Sequence, residues 1–408
     1  MPLRKSEVDM STVAYLEDGP SVLSLYEGFF AGGARILHTA VVRALDATTP
    51  QRHSVLSLSD RVQREFTAQR ISSDNSYRRL TAAGVPVRAL RRTPTGPITA
   101  SQLKRVEQSV AKADVVLSLK EQPLTVLGRV GTSGTPLITC LHRSDPEHQG
   151  AGVQELMDLD RAGLLTAAVC CAESTQRAYH EATGIPLERL PVFPNGVDLH
   201  KFSTDAELRT SKRAELGVSG EEPVVMIAAR FDEMKNIPLF VRAARRFVQE
   251  HPDAHLVMCG AGMTADNPAF AQLIAEELGA WPALETNLHA LGIQSQMAPL
   301  YNAADLITLT SAFGEAAPLC LLEGMACGAV PVTTPVGDAP AMVGDPRLVA
   351  SFDPAEMAES WKAAFAQREE HFERIFRNRQ RLSEQRLFDA YARLIKESAD
   401  SALIPVAV

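Results

Sequence analysis

Short runs rich in β-branched residues alternate with helical patterns almost from end to end of this chain. That alternation builds βαβ units around parallel sheets with helices on both faces. The first series of strand-like runs falls at 22–25, 54–58, 85–90, 115–119, 137–141, 167–171 and 190–193. A second series falls at 224–229, 255–259, 288–291, 306–309 and 330–333. Between them, 198–222 is polar and charged with few large apolar residues, and the domain boundary is expected there. At roughly 150 residues per domain, the 408 residues hold two such units. The division expected is 1–198, 199–375 and a helical tail at 376–408, with Trp361, Phe365, Phe372, Ile375 and Phe376 at helix-like spacing where the second unit runs into the tail. Two doubly wound domains place a cleft between the carboxyl ends of their sheets, where ligands of such sheets bind.

Composition narrows the partners. A net charge of -8 argues against a general nucleic-acid binder. The charge is nevertheless uneven, because Arg52 to Glu107 carries eleven basic residues against four acidic ones. Such a stretch serves as a set of solvated helix faces or attracts an anionic acceptor or a membrane surface. No apolar run approaches the roughly 18 residues of a membrane-spanning helix, and residues 1–9 lack the apolar core of a secretory signal. The expected compartment is the cytoplasm. The six cysteines show no Cys-x-x-Cys pair and no zinc spacing, so they are read as buried, reduced thiols and no metal site is expected.

The more specific chemistry lies after the strands of the second series. Arg230 ends the first of them, and Lys235 and Asn236 follow across a short turn, with Pro238 at a helix start. A forked guanidinium and a compact ammonium converging there suit a leaving diphosphate. Farther on, Pro318 and Gly328 bracket a helix of about ten residues that begins just after Glu315. Its free amides form an anion site, beside which Glu315 is placed to accept hydrogen bonds from sugar hydroxyls. Glu323 lies inside that otherwise apolar helix and needs a partner, such as a ribose diol, because a carboxylate is rarely buried alone.

These residues, with Gly-Met-Ala-Cys-Gly after Glu323 and Gly337-Asp338 beyond, resemble the signature of family 4 retaining glycosyltransferases of the GT-B fold. The resemblance extends to Gly32-Gly33-Ala34-Arg35 as the glycine-rich loop, Pro194-Asn195-Gly196-Val197-Asp198 as the domain junction, and Arg230 with Lys235 as the phosphate-binding pair. The fold it implies is α/β: two Rossmann-like doubly wound domains facing a central cleft, the first binding acceptor, the second nucleotide sugar, and the tail crossing back to the first. It implies that Arg230 and Lys235 hold the donor diphosphate, Glu315 contacts the transferred sugar, Glu323 binds the ribose, and amides near Pro318 and Leu319 add phosphate contacts. Gln296 would meet the base. Gly32 and Gly33 would let backbone approach the donor, and His142, after a central strand, would contact a sugar hydroxyl. Lys120, Glu121 and Arg143, also at strand ends, are expected on the acceptor side.

Asn236 departs from the family pattern, which has Gly there, and Ala316-Ala317-Pro318 replaces a more Gly-rich or aromatic stretch. The implied reaction moves a sugar from a nucleotide diphosphate to a hydroxyl acceptor, anionic or lipid-linked, with no cofactor and no metal. Alternatives of related fold are a sugar phosphorylase and a non-catalytic nucleotide-sugar-binding protein. A nicotinamide dehydrogenase is disfavoured because no Gly-x-Gly-x-x-Gly follows the first strand.

Overall fold

The computed structural model describes residues 19–402 except 31, 65–66 and 94–95, and over the rest of 62–68 the backbone alone. Residues 1–9, Glu65, the Arg64 side chain, and the outer ends of the first segment and the tail therefore lie outside the described residues.

The first sheet contains β1 (Ser21–Tyr26), β2 (Arg52–Ser57), β5 (Val87–Ala89), β6 (Val115–Leu119), β7 (Leu137–Leu141) and β8 (Leu165–Cys170), while β3 (Arg61–Arg64) and β4 (Thr67–Arg70) form a separate hairpin. The sheet is parallel in the order β5-β2-β1-β6-β7-β8. The second sheet, also parallel, takes β9 (Val224–Ala228), β10 (His255–Cys259), β11 (Leu288–Gly292), β12 (Leu306–Leu309) and β13 (Val330–Thr333) in the order β11-β10-β9-β12-β13. Helices cover both faces, so β6, β7, β10, β12 and β13 are buried throughout. In both sheets the order reverses beside the first strand, between β1 and β6 and between β9 and β12, and a ligand crevice opens at such reversals.

Two expectations are corrected. Residues 190–193 form no strand and make only one bridge, Cys170 to Val192. Pro191 and Pro194 flank that bridge and have no N–H to extend a ladder. The hairpin of β3 and β4 was not anticipated, because its polar, arginine-rich strands lack an apolar alternation. The polar stretch after 198 contains helix Ala206–Glu215, which belongs to the second unit through ionic anchoring: Arg213 reaches the Ala303 carbonyl at 3.1 Å and Asp305 Oδ2 at 3.2 Å.

Helix Pro354–Ala366 packs on the second core, with Trp361 fully buried between Phe240 and Phe247 at ring-centroid distances of 5.1 and 5.8 Å. Truncating such a Trp costs about 3–5 kcal/mol. Ile375 and Leu382 still belong to this core, whereas Leu387, Tyr391 and Ile395 of helix Gln385–Ala402 pack against Val22, Leu37 and Val115 of the first domain. The chain thus returns just after Leu382, where Val197 N–H donates to Leu382 O at 2.8 Å and Glu384 N–H donates to Val197 O at 3.1 Å.

Asn236 has φ 47 and ψ 50, the left-handed conformation that glycine adopts freely and asparagine tolerates. The departure from glycine therefore preserves the turn. Asn236→Gly should leave the free energy of unfolding within about 0.5 kcal/mol, whereas Asn236→Val should lose about 1–2 kcal/mol, as read by denaturant unfolding.

Candidate functional site

The loop after β9 is shaped by Asp232, whose carboxylate accepts hydrogen bonds from Arg230 Nε at 2.9 Å and from the Lys235 backbone N–H at 3.0 Å. This loop is tied to the one after β12, since Ala312 N–H donates to Met234 O at 2.8 Å and Thr310 Oγ1 to Lys235 O at 2.9 Å. The two loops flank the reversal of the second sheet. There the Lys235 ammonium pairs directly with Glu315 Oε1, which also accepts from Ser311 Oγ at 2.7 Å. The side chains are 17% and 8% exposed, so the pair is largely withdrawn from water. Arg230 and Lys235 thus each have their own carboxylate, and an incoming diphosphate would share or displace it.

Helix Leu319–Ala326 follows, with Pro318 at its N-cap and no side-chain cap on its first turn. Its first residue, Leu319, lies 3.5 Å from where a Cβ on Gly33 of the first domain would sit. Gly33 opens helix Gly33–Thr48, and Gly32 is in extended backbone at φ 172, so the glycine pair brings the first-domain backbone up to the second-domain helix N-terminus.

Glu323 differs from expectation in having a protein partner. Tyr301, buried on helix Ala298–Ala303, donates its hydroxyl to Glu323 Oε2 at 2.8 Å. Burial pushes the Glu323 carboxyl up to about 7, against the lowering effect of Tyr301. A ribose diol donating to the ionised carboxylate would favour that form, so nucleotide affinity should rise several-fold from pH 6 to pH 8. Titration calorimetry with a ribose-bearing ligand at the two pH values should show a larger rise in the wild type than in Glu323→Gln.

On the first domain, His142 follows β7. Its Nε2 is sealed from solvent and has no hydrogen-bond partner among the described residues. Burial, with smaller contributions from Lys120 and Arg35, pushes its pKa down to about 3, so it is neutral at neutral pH. Lys120, after β6, has φ 69, and its carbonyl accepts from Ser118 Oγ at 2.8 Å and Thr139 Oγ1 at 3.2 Å. Arg143 makes a two-pronged pair with Asp145 and reaches Met234 Sδ of the second domain at 3.4 Å. Gly314, at φ +69, leaves the space this pair occupies, since a Cβ there would lie 2.6 Å from the guanidinium. Ser144 Oγ donates to the Glu315 carbonyl. The loop carrying His142 is therefore clasped to the loop carrying Glu315.

One site expectation changes. Glu121 is only 1% exposed; its carboxylate accepts from the Tyr179 hydroxyl and its Cβ abuts Gly152. Its carboxyl is taken up inside the first domain by a tyrosine, so it is buried in the fold and not open at the strand end as expected. Gln296 lies exposed on the loop after β11. Asp232, Ser311, Tyr301 and Ser144 were missed. Asp232 alone left a local signal, an acidic residue placed to fold a short turn between two cations. Among the described residues, no group of three or more His, Cys, Asp or Glu side chains is placed to hold a metal ion.

The profile described as Glycosyl transferases group 1 matches residues 222–367, and that described as Glycosyltransferase Family 4 matches residues 31–201. The chain is 28% identical to a D-inositol 3-phosphate glycosyltransferase of Mycobacteroides abscessus, over 55% of this chain and 48% of that protein. It is 26% identical to an alpha-maltose-1-phosphate synthase of Mycolicibacterium smegmatis, over 57% of this chain and 62% of that protein. The chain thus spans about half the length of the curated relatives it matches. In architecture it is similar to Anabaena Alr3699/HepE, solved with UDP and glucose, at a TM-score of 0.75 and 21% identity, covering 94% of this chain and 100% of that one. Sucrose-phosphate synthase from Thermosynechococcus elongatus gives a TM-score of 0.68 at 16% identity, with 94% and 100% coverage.

Proposed function

Because the chain belongs to the family 4, group 1 glycosyltransferases and has their GT-B fold, we propose that it transfers a hexose from a nucleoside diphosphate sugar, UDP or GDP, to a hydroxyl acceptor, with retention of anomeric configuration and without a metal ion. The observation that carries this reading is the Lys235–Glu315 pair at the reversal of the second sheet. A cation for the leaving diphosphate and a carboxylate for the sugar hydroxyls are held in direct contact, ahead of a helix whose first-turn N–H groups have no side-chain cap.

Arg230, Lys235 and the positive end of helix Leu319–Ala326 take the negative charge that develops on the diphosphate as the anomeric C–O bond breaks. Glu323 takes the ribose hydroxyls. Neutral His142, half-buried just past the carboxyl end of β7, is the imidazole that contacts a sugar hydroxyl in this reading. The acceptor oxygen bonds to the anomeric carbon on the face the diphosphate leaves, and the departing phosphate oxygen takes the acceptor proton. The products are a nucleoside diphosphate and a glycoside of unchanged anomeric configuration.

The acceptor in this reading carries a phosphate. Exposed Arg61 and Arg70 sit directly opposite each other in the hairpin that follows the carboxyl end of β2, an arrangement of like charges that an anion relieves. The names of both relatives above include a sugar or inositol phosphate. The compartment proposed is the cytoplasm, supported by six free thiols. Among the described residues, no helix is long and apolar enough to cross a membrane.

The test is a melting-temperature series with UDP-, GDP-, ADP- and dTDP-sugars in EDTA, followed by NMR of the anomeric proton of any product formed with inositol phosphate or glucose 1-phosphate. A selective shift that disappears in Arg230→Ala and an unchanged anomer are expected. No shift with any nucleotide sugar, or an inverted product, refutes the reading.

A further inference from the structure

Helix Glu173–Thr183 of the first domain begins without a side-chain cap, its N-cap being Ala172. Two of its first N–H groups are satisfied from the other domain: Glu173 N–H donates to Asp338 Oδ2 and Ser174 N–H to Asp338 Oδ1, both at 2.8 Å. Asp338 is itself the N-cap of helix Ala339–Val343, yet it makes no side-chain bond to that helix. An aspartate at an N-cap ordinarily serves its own helix, and here both oxygens are turned across the cleft instead.

The same residue is locked to the sugar-site loop. Asp338 N–H donates to Ala316 O at 2.9 Å, and Gly337, at φ +61, leaves no room for a Cβ, which would lie 2.2 Å from the Glu315 carbonyl oxygen. The neighbouring carbonyls are held by the first domain, Glu315 O by Ser144 Oγ and Ala317 O by Asn195 Nδ2, the latter at 2.7 Å. Of the three consecutive carbonyls from Glu315 to Ala317, the outer two are thus held by first-domain donors that reach them only when the domains meet, and the middle one by the Asp338 backbone.

We propose that Asp338 is a positioning residue that couples domain closure to the setting of Glu315: its carboxylate supplies the missing cap of the first-domain helix, and its backbone carries that engagement to the Glu315–Ala317 loop. The effect on turnover rests on the transfer reading above. The latch itself does not. Bringing the loops together also excludes water from the reacting sugar.

The experiment compares wild type, Asp338→Ala and Asp338→Asn by hydrogen exchange of the Glu173 and Ser174 amides, small-angle scattering, and kinetics with UDP-glucose. In Asp338→Ala, exchange at both amides should quicken at least tenfold and the radius of gyration should increase. Turnover at saturating UDP-glucose should fall about tenfold, with its KM within twofold of wild type. Asp338→Asn, which keeps one acceptor oxygen, should lie between. Unchanged exchange and scattering in a folded Asp338→Ala overturns the latch, as does a tenfold loss of UDP affinity without a change in scattering. A wild type inert toward every nucleotide sugar, with the exchange and scattering changes present, counts against the transfer reading and leaves the latch standing.

Discussion

Glu315→Gln should lower sugar transfer by about a hundredfold to a thousandfold, the range seen when one preorganised electrostatic contact is removed from a reacting centre. Glutamine keeps an oxygen for Ser311 and Lys235, so the loop retains its shape. The negative charge that holds the Lys235 ammonium and would orient the sugar is lost. Glu315→Ala goes further, leaving a largely buried ammonium without its partner. Removing one member of a buried pair costs about 3–5 kcal/mol, read as a fall in Tm of roughly 5–10 °C. The double variant Lys235→Met with Glu315→Leu should recover most of that stability and none of the activity, because an apolar pair of similar volume needs no desolvation. Wild-type turnover in Glu315→Gln would remove the residue from the proposed mechanism. Normal stability in Glu315→Ala would show that water reaches the ammonium.

Gly196→Ala should do comparable damage far from the chemistry. A Cβ on Gly196 would lie 2.5 Å from Ser383 O and Glu384 Cα and 2.6 Å from Glu384 N. These are all backbone atoms, and no side chain can swing aside to make room. Overpacking costs typically about 1–3 kcal/mol, and here the collision also opens the two hydrogen bonds between Val197 and the returning strand of chain. A loss of about 3 kcal/mol is expected, with helix Gln385–Ala402 released from the first domain before the rest unfolds. Proteolysis and hydrogen exchange of residues 385–402 would reveal this as early cleavage and lost protection. A variant with wild-type Tm and a protected terminal helix would mean that the crossing yields easily.

The central parallel strands could be read from the chain because they are buried on both faces and therefore appear as short continuous apolar runs, as at Val115–Leu119 and Leu306–Leu309. The candidate residues Arg230, Lys235, Glu315 and His142 all stand just past carboxyl ends of strands, where the alternation places ligands, and the family resemblance singled them out there. The hairpin of β3 and β4 was illegible because its sequence carries no apolar alternation and its pairing is local. Residues 190–193 look strand-like by composition, but Pro191 and Pro194 forbid the ladder.

The sequence by itself determined the two doubly wound units, the place of their cleft and the chemical types facing it, because hydrophobic period, helix punctuation and strand-end charges are local properties of the chain. Only the tertiary structure decided who meets whom. Glu323 finds Tyr301, 22 residues away, and Glu121 turns inward to Tyr179. Asp338 reaches past its own helix to cap one that starts 165 residues earlier. A buried or cross-domain carboxylate takes whichever donor the packed geometry presents, and no local pattern records that choice.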